Sequence, residues 1–423
     1  MNYRQLLLDS FHAAVAAADP LKIIAQYLPA KPKGKTLVVG AGKAAASMAR
    51  AVELAWPDDM PLEGVVVTRY AHGMRTDRIR VVEAGHPVPD EAGETVAAEI
   101  LARVSQLTSE DRLIALISGG GSSLLSLPVT GVSMPDLKTV TAALLKSGAP
   151  IADMNVIRKH LSQIQGGRLA AACKAPITAL IVSDVTGDDP SAIASGPTCS
   201  DPSTYQDALD ILQRFGVMAP AAVTKHLQAG VRGAVDETPK PGSAVFAQVT
   251  NTVIATAHQS LQAAADFFRA HGIKPVVLGD TVTGEASEVA KVYAALAREI
   301  HKYQQPFKAP VALISGGECT VTVRGKGRGG RCVEFLLSLA SELGSMPGVY
   351  ALAADTDGID GTEENAGALY LPDTNARADA LGLSATKMLA DNDGYGYFSA
   401  LDDLIITGPT RTNVNDYRVI LVM

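Results

Sequence analysis

Short apolar blocks alternate along this chain with longer stretches in which apolar residues return every three or four positions. Thr36–Val39, Gly64–Thr68, Leu113–Ile117, Ala179–Val182, Gln248–Thr256, Pro275–Leu278, Val311–Ile314 and Tyr350–Ala354 have the length and aliphatic content of buried strands. Helical spacing covers Met1–Leu28 as a helix pair, then Glu91–Leu107, Ser260–Ala270 and Phe335–Leu343. It also covers Ile157–Ala172, where it predicts a helix that breaks at Gly166-Gly167. Strand followed by helix, repeated, predicts an α/β protein with a Rossmann-like parallel sheet in its N-terminal domain and a second α/β domain behind it. Proline, glycine and charge cluster in Asp236–Gly242, which divides the chain into 1–236 and 237–423.

Two of the strands end in nearly the same words: Ala-Leu-Ile-Ser-Gly-Gly-Gly-Ser-Ser at 115–123 and Ala-Leu-Ile-Ser-Gly-Gly-Glu at 312–318. Open α/β sheets hold ligands just beyond such strand ends. Bare glycine backbone and small hydroxyls there can come close to an anion. One copy alone reads equally well as a glycine that ends a strand. The pair suggests two lobes across a cleft, with Ser118, Gly119, Gly120, Gly121, Ser122 and Ser123 in one and Gly316, Gly317 and Glu318 in the other.

Four further stretches carry chemistry. Gly40-Ala41-Gly42-Lys43-Ala44-Ala45 fits the dinucleotide pattern Gly-x-Gly-x-x-(Gly/Ala), but the next strand ends in Arg69-Tyr70 where an acid should hold the ribose, leaving only NADP open. A lysine at a helix start opposes the helix dipole, so Lys43 is better placed for an anionic ligand. Arg158, Lys159 and Arg168, with His160 among them, could gather phosphate or carboxylate, or simply be solvated. Asp184, Asp188 and Asp189 follow a strand and suit Mg²⁺, or form an Asp-rich turn. Arg331 begins a helix behind Gly329-Gly330, where its fork can meet a carboxylate or phosphate. Asp355–Glu364 tempts one to see an EF-hand, but Ile359 stands at a ligand position and Gly358 is out of register.

Composition narrows the classes. The 423 residues are 47% hydrophobic and 19% charged, enough for two or three cores. The net charge of −7, with no basic stripe, argues against nucleic acid. No run reaches membrane-spanning length, and Asp9 and His12 interrupt any signal-peptide core. Four cysteines without Cys-x-x-Cys spacing fit neither a disulfide scaffold nor a zinc ribbon, so a cytoplasmic home is expected. Walker, His-Glu-x-x-His and Gly-x-Ser-x-Gly motifs are all missing.

In order along the chain, Gly40–Lys43, Ser118–Ser123, Arg158–Arg168, Ser183–Asp189, Ser195–Thr198, Ser315–Glu318, Gly329–Glu334, Asp355–Gly361 and Gly408–Asp416 resemble the glycerate 2-kinases, whose C-terminal part is the MOFRL module, here about 308–418. The resemblance implies ATP- and Mg²⁺-dependent phosphorylation of D-glycerate at its 2-hydroxyl. It points to Lys43 and Arg331 as catalytic groups. In an in-line transfer these two would offset charge on the transferring group or hold the glycerate carboxylate, Asp184 or Asp189 would hold Mg²⁺ or receive the hydroxyl proton, and Glu318 or Asp355 is in reserve. Gly42, His160, Arg168, Asn251, Asp355, Asp357 and Asn413 complete the expected substrate and nucleotide contacts, and Asp184, Asp188 and Asp189 the metal set. Cys332 and Val333 stand where the family usually has Asn and Gln, and Arg411 where it often has glycine; these departures bear on the ligand contacts. Members from tartrate-degradation contexts are also labelled hydroxypyruvate reductase. An NAD(P)H-dependent reductase and a silent sugar-acid sensor are therefore the rival readings. A homodimer is the default assembly.

Overall fold

The apolar blocks of the N-terminal half become β1 (Thr36–Ala41), β2 (Leu62–Arg69), β3 (Ile79–Ala84), β4 (Arg112–Ile117), β5 (Ile177–Val182) and β6 (Val249–Ala255). In the computed structural model, which describes Met1–Met423, they form one sheet in the order β3-β2-β1-β4-β5-β6. The pairings β3-β2, β2-β1, β1-β4 and β4-β5 are all parallel. β1 and β5 are buried along their whole length, as central parallel strands must be when helices cover both faces. Val96, Ala97, Ile100 and Val104 of the helix Glu91–Ser105 pack with Leu37, Val39, Leu113 and Ala115 of the sheet. Asp90 starts that helix by accepting the N–H of Gly93. The helices Met134–Lys146, Ile151–His160, Tyr205–Arg214 and Ala221–Val231 share a separate apolar cluster built on Leu137, Met154, Ile157, Tyr205 and Leu227.

The C-terminal half supplies β7 (Lys274–Gly279), β8 (Gly284–Glu285), β9 (Val311–Ser315), β10 (Cys319–Thr320), β11 (Val349–Asp355), β12 (Gly367–Tyr370), β13 (Leu404–Ile405) and β14 (Asp416–Val422). Six of them form a sheet in the order β13-β12-β11-β14-β9-β7, while β8 and β10 pair with each other. Only β7-β9 is parallel in the large sheet; the other four pairings are antiparallel. One face carries the helices Ala286–Tyr303 and Arg331–Leu343, and the other carries Ala257–Ala270 together with Tyr3–Ala17.

Two compact units result: Pro20–Ile254, and a discontinuous one made of Met1–Asp19 with Ala255–Met423. The boundary expected at 236/237 therefore differs from the contact boundary at 254/255, because β6 joins the first sheet. Met1–Leu28 is likewise not one helix pair. Tyr3–Ala17 packs into the C-terminal unit through Leu7 and Phe11, whereas Pro20–Ile23 begins the other unit. The helix expected over Ile157–Ala172 ends at His160. Ser162 stops it, its Oγ accepting the N–H of Ile164 and of Gln165, and a new helix starts only at Arg168.

Candidate active site

Within Pro20–Ile254, β1 and β4 lie side by side with Gly40 opposite Leu116 and Ala41 opposite Ile117, so their exit turns are neighbours. The two turns are tied together. Lys43 N–H donates to the Gly119 carbonyl at 2.8 Å, and Ala44 N–H donates to Ser118 Oγ at 3.0 Å. Gly42 has φ +135° and lies so close that a Cβ there would stand 2.1 Å from Ser118 Oγ. Ser118 is thus fully buried and holds the first turn in place; it does not face a ligand, as had been expected. The same contacts oppose a dinucleotide reading of Gly40–Ala45, since the N–H groups that would meet a pyrophosphate are bound by Ser118, Gly119 and, for Ala45, Gly42.

The loop beyond β4 is different. Gly120 adopts φ +81° and backs onto the His86 ring, and Gly121 fits against Ala194. The N–H groups of Gly119, Gly120 and Ser122 have no partner in the protein. Ser122 Oγ lies 2.9 Å from Ser195 Oγ, and Ser123 Oγ donates to the Gly120 carbonyl. Ser195 and Ala194 both hold left-handed backbone, φ 57° and 51°, a strain of about 1–3 kcal/mol each of the kind found at functional sites.

After β5 the three acids do not converge. Asp189 turns back on Ser191, accepting from its N–H at 2.9 Å and its hydroxyl at 2.8 Å. No group of three His, Cys, Asp or Glu side chains is placed to hold a metal ion, so Asp184, Asp188 and Asp189 are not a preformed three-carboxylate cage. Asn251 exchanges hydrogen bonds with Thr198 and fastens β6 to the Ser195–Thr198 segment. It borders a cavity of about 490 Å³ with Asp189, Ser191, Cys199 and Phe246.

Two expected contacts are structural. His160 is fully buried, with Nδ1 on the Val156 carbonyl at 2.8 Å, Nε2 on Glu237 at 3.0 Å and its ring edge-on to Tyr205. Arg168 donates to the Tyr205 hydroxyl and the Asp236 carbonyl. Both serve to fix the 236–240 segment, a role that spacing along the chain could not reveal.

In the C-terminal unit, Arg331 is the hub. Its Nε donates to Asp416 at 2.8 Å, one terminal nitrogen to Asp355 at 2.7 Å, and the other lies 3.1 Å from Glu318. Burial alone would favour loss of the proton, but Asp416, Asp355 and Glu318 outweigh it and raise the pKa. The fork expected to meet a substrate is thus filled by three side-chain carboxylates. Arg418 supports the arrangement from below, donating to Asp416 and to the carbonyls of Gly316 and Gly317. Gly317, at φ +96°, packs against the Val282 backbone, where a Cβ would lie at 2.4 Å.

The acidic run after β11 is dispersed. Asp355 goes to Arg331, Asp357 accepts from Ile359 N–H, Glu363 pairs with Arg328, and Glu364 accepts from the Tyr395 hydroxyl. Asp360, which the sequence did not single out, accepts the N–H groups of Cys332 and Val333 and so caps the helix Arg331–Leu343 from another loop. Burial pushes its carboxyl up to about 7 against those two hydrogen bonds. Glu334, beside Arg331, is also pushed up to about 7, chiefly by burial. Asn413 accepts from the Asn415 N–H and lies buried near β14. Cys332 and Val333 are both in the apolar core, so these two departures from the family pattern are packing changes and present no side chain to a ligand. Arg411 holds φ +59°, a left-handed backbone that glycine adopts more readily, in line with the glycine expected there from the resemblance.

Comparison with known proteins extends over the whole chain. Residues 6–228 match a domain of unknown function, DUF4147, and residues 311–416 match the MOFRL family. Glycerate 2-kinase of Pyrococcus horikoshii is 39% identical, across 100% of this chain and 98% of that protein. A putative hydroxypyruvate reductase of Agrobacterium vitis is 48% identical, across 100% of this chain and 95% of that protein. The crystal structure of glycerate kinase from Thermotoga maritima superposes with a TM-score of 0.89 at 36% identity, covering 100% of this chain and 99% of that one.

Proposed function

We propose that this chain, which belongs to the MOFRL-containing glycerate 2-kinase family, transfers the γ-phosphoryl group of ATP to the 2-hydroxyl of D-glycerate. The observation that carries this reading is the contrast between two neighbouring turns. The N–H groups after β1 are consumed internally, while those of Gly119, Gly120 and Ser122 are unpaired, as a phosphate cradle requires. Lys43, tied to that loop through its own N–H, would offset phosphate charge.

Mg²⁺ asks for one or two carboxylates plus phosphate and water oxygens, so two acids suffice. Asp184, the second residue beyond β5, and Asp188 would be the two; Asp189 has both oxygens on Ser191. Bound Mg²⁺ would neutralise phosphate oxygens and orient them for displacement. The O2–P bond of 2-phospho-D-glycerate forms as the β–γ bridging bond breaks, ADP leaves, and the hydroxyl proton passes to a carboxylate. Arg331 acts here by holding Glu318, Asp355 and Asp416 in fixed positions. The reductase reading is carried by the printed name of a relative and opposed by its fingerprint turn, whose N–H groups are bound internally.

The test is purified protein with D-glycerate, ATP and Mg²⁺ followed by ³¹P NMR, beside hydroxypyruvate and NAD(P)H watched at the nicotinamide absorbance. A 2-phosphoglycerate signal that disappears in Lys43→Ala supports the kinase. Nicotinamide oxidation without phosphoryl transfer overturns it.

A further inference from the structure

Of the three basic side chains in the 158–168 motif, Lys159 and Arg168 are tied into the protein, although Arg168 Nε has no partner. Lys159 lies 3.5 Å from Asp201, and Arg168 is bound to Tyr205 and Asp236. Arg158 is the exception. It is half-buried, and its one side-chain hydrogen bond runs from a terminal nitrogen to Asn155 Oδ1 at 3.1 Å. No carboxylate offsets its charge: burial alone acts on it, lowering its pKa. A partly buried cation with no carboxylate beside it, set in a pocket wall, is free to meet an anion that enters the pocket.

Arg158 also lines a small pocket with Ser122, Ser123, Ser162, Thr141 and Gln165, of about 40 Å³. That volume takes a group of three or four heavy atoms and excludes a nucleotide. The hydroxyls suit an oxyanion. Ser162 Oγ already accepts two backbone N–H groups, at 3.1 Å each, which leaves its own proton to donate. The pocket is wired to the glycine-serine loop. Asn155 Oδ1, which holds Arg158, also accepts from Ser195 Oγ at 3.3 Å, and Ser195 Oγ meets Ser122 Oγ at 2.9 Å. The strained Ala194-Ser195 backbone keeps that link in place.

We infer that the Arg158 pocket is the subsite for the carboxylate of a small hydroxy acid, with Arg158 as the residue that selects it. This rests on the reading of the chain as a glycerate kinase and adds where the acid end of the substrate binds. A guanidinium meeting a carboxylate makes charge-assisted, two-pronged hydrogen bonds that an alcohol cannot reproduce. The pocket therefore discriminates D-glycerate from glycerol.

The test uses the full chain in two arms: calorimetric titration with D-glycerate, glycerol and inorganic phosphate, and steady-state kinetics. Arg158→Met should raise the KM for D-glycerate by about tenfold or more, leave the KM for ATP unchanged, and abolish the preference for glycerate over glycerol in binding. Its melting temperature should change little, since the charge removed is only partly buried and has no ion-pair partner. Thr141→Leu, which fills the pocket from the helix Met134–Lys146 and keeps the Arg158 charge, should weaken glycerate binding in the same way. Unchanged glycerate KM and affinity in both variants overturn the inference while leaving the kinase intact. Phosphate binding that depends on Arg158 while glycerate binding does not also overturns it. If the wild type binds glycerate through Arg158 but transfers no phosphate, the kinase reading falls and the subsite stands.

Discussion

Asp360 shows how much a single residue can do without leaving a mark on the sequence. Its two oxygens cap a helix that begins 29 residues earlier, a relation no local pattern encodes. Arg331, by contrast, was legible from its glycines and helix start, and Glu318 and Asp355 were singled out as acids; that these two and Asp416 converge on Arg331 was not, because they come from three separate segments. The sign of the Asp360 effect follows from its raised pKa. An unfolded chain ionises this carboxyl near 4, whereas the folded protein keeps it protonated up to about 7. Its contribution to stability is thus complete below about pH 4 and is lost as the pH climbs towards 7. Glu334 adds a loss of the same sign in the same window. Asp360→Asn cannot ionise and keeps one of the two caps. Its stability deficit relative to wild type, measured by denaturant unfolding at pH 5 and pH 8, should therefore shrink as pH rises. A deficit that widens would show that the ionised carboxylate is the capping form.

Among elements, the strands were the most readable feature, since buried parallel strands are nearly continuous apolar runs. The helix end at His160 was not, because the pattern continued while the Ser162 hydroxyl captured the backbone. The crossing of the two exit turns was also hidden. Each glycine run looked like a ligand loop, yet only the register of β1 against β4 reveals that one braces the other. Ser118→Ala should cost about 1–3 kcal/mol in denaturant unfolding, because the buried Ala44 N–H loses its acceptor. Gly42→Ala should be far worse, with a Cβ 2.1 Å from Ser118 Oγ at φ +135°. If Gly42→Ala proved as stable as Ser118→Ala, the tight crossing of the turns would be wrong.

For the whole molecule, the α/β class and the long reach of the family motifs were correct, but the two halves are less alike than their shared Ala-Leu-Ile-Ser-Gly-Gly suggests. β4 sits between parallel neighbours, whereas β9 has antiparallel β14 on one side and parallel β7 on the other. An apolar run ending in glycine serves either arrangement equally, so sequence could not separate them. Nor could it assign the first helix to the far end of the chain. Phe11 is fully buried in the C-terminal core beside Tyr417, so Phe11→Ala should cost about 3–5 kcal/mol. Unfolding followed by the tyrosines of that unit should show the loss; a shift below about 1 kcal/mol would contradict the assignment of the helix to that core.

That discontinuity also sets an order of events during synthesis. The helix Tyr3–Ala17 leaves the ribosome well before the strands and helix that cover Leu7 and Phe11, which lie beyond Ala255. At the usual pace of translation its apolar face waits on the order of 10–80 s for its partners, while Pro20–Ile254 can complete its own core in the meantime. The helix Tyr3–Ala17 is therefore made early and placed late, and until Ala255–Met423 is synthesised its apolar face is a point at which the newborn chain is exposed to aggregation.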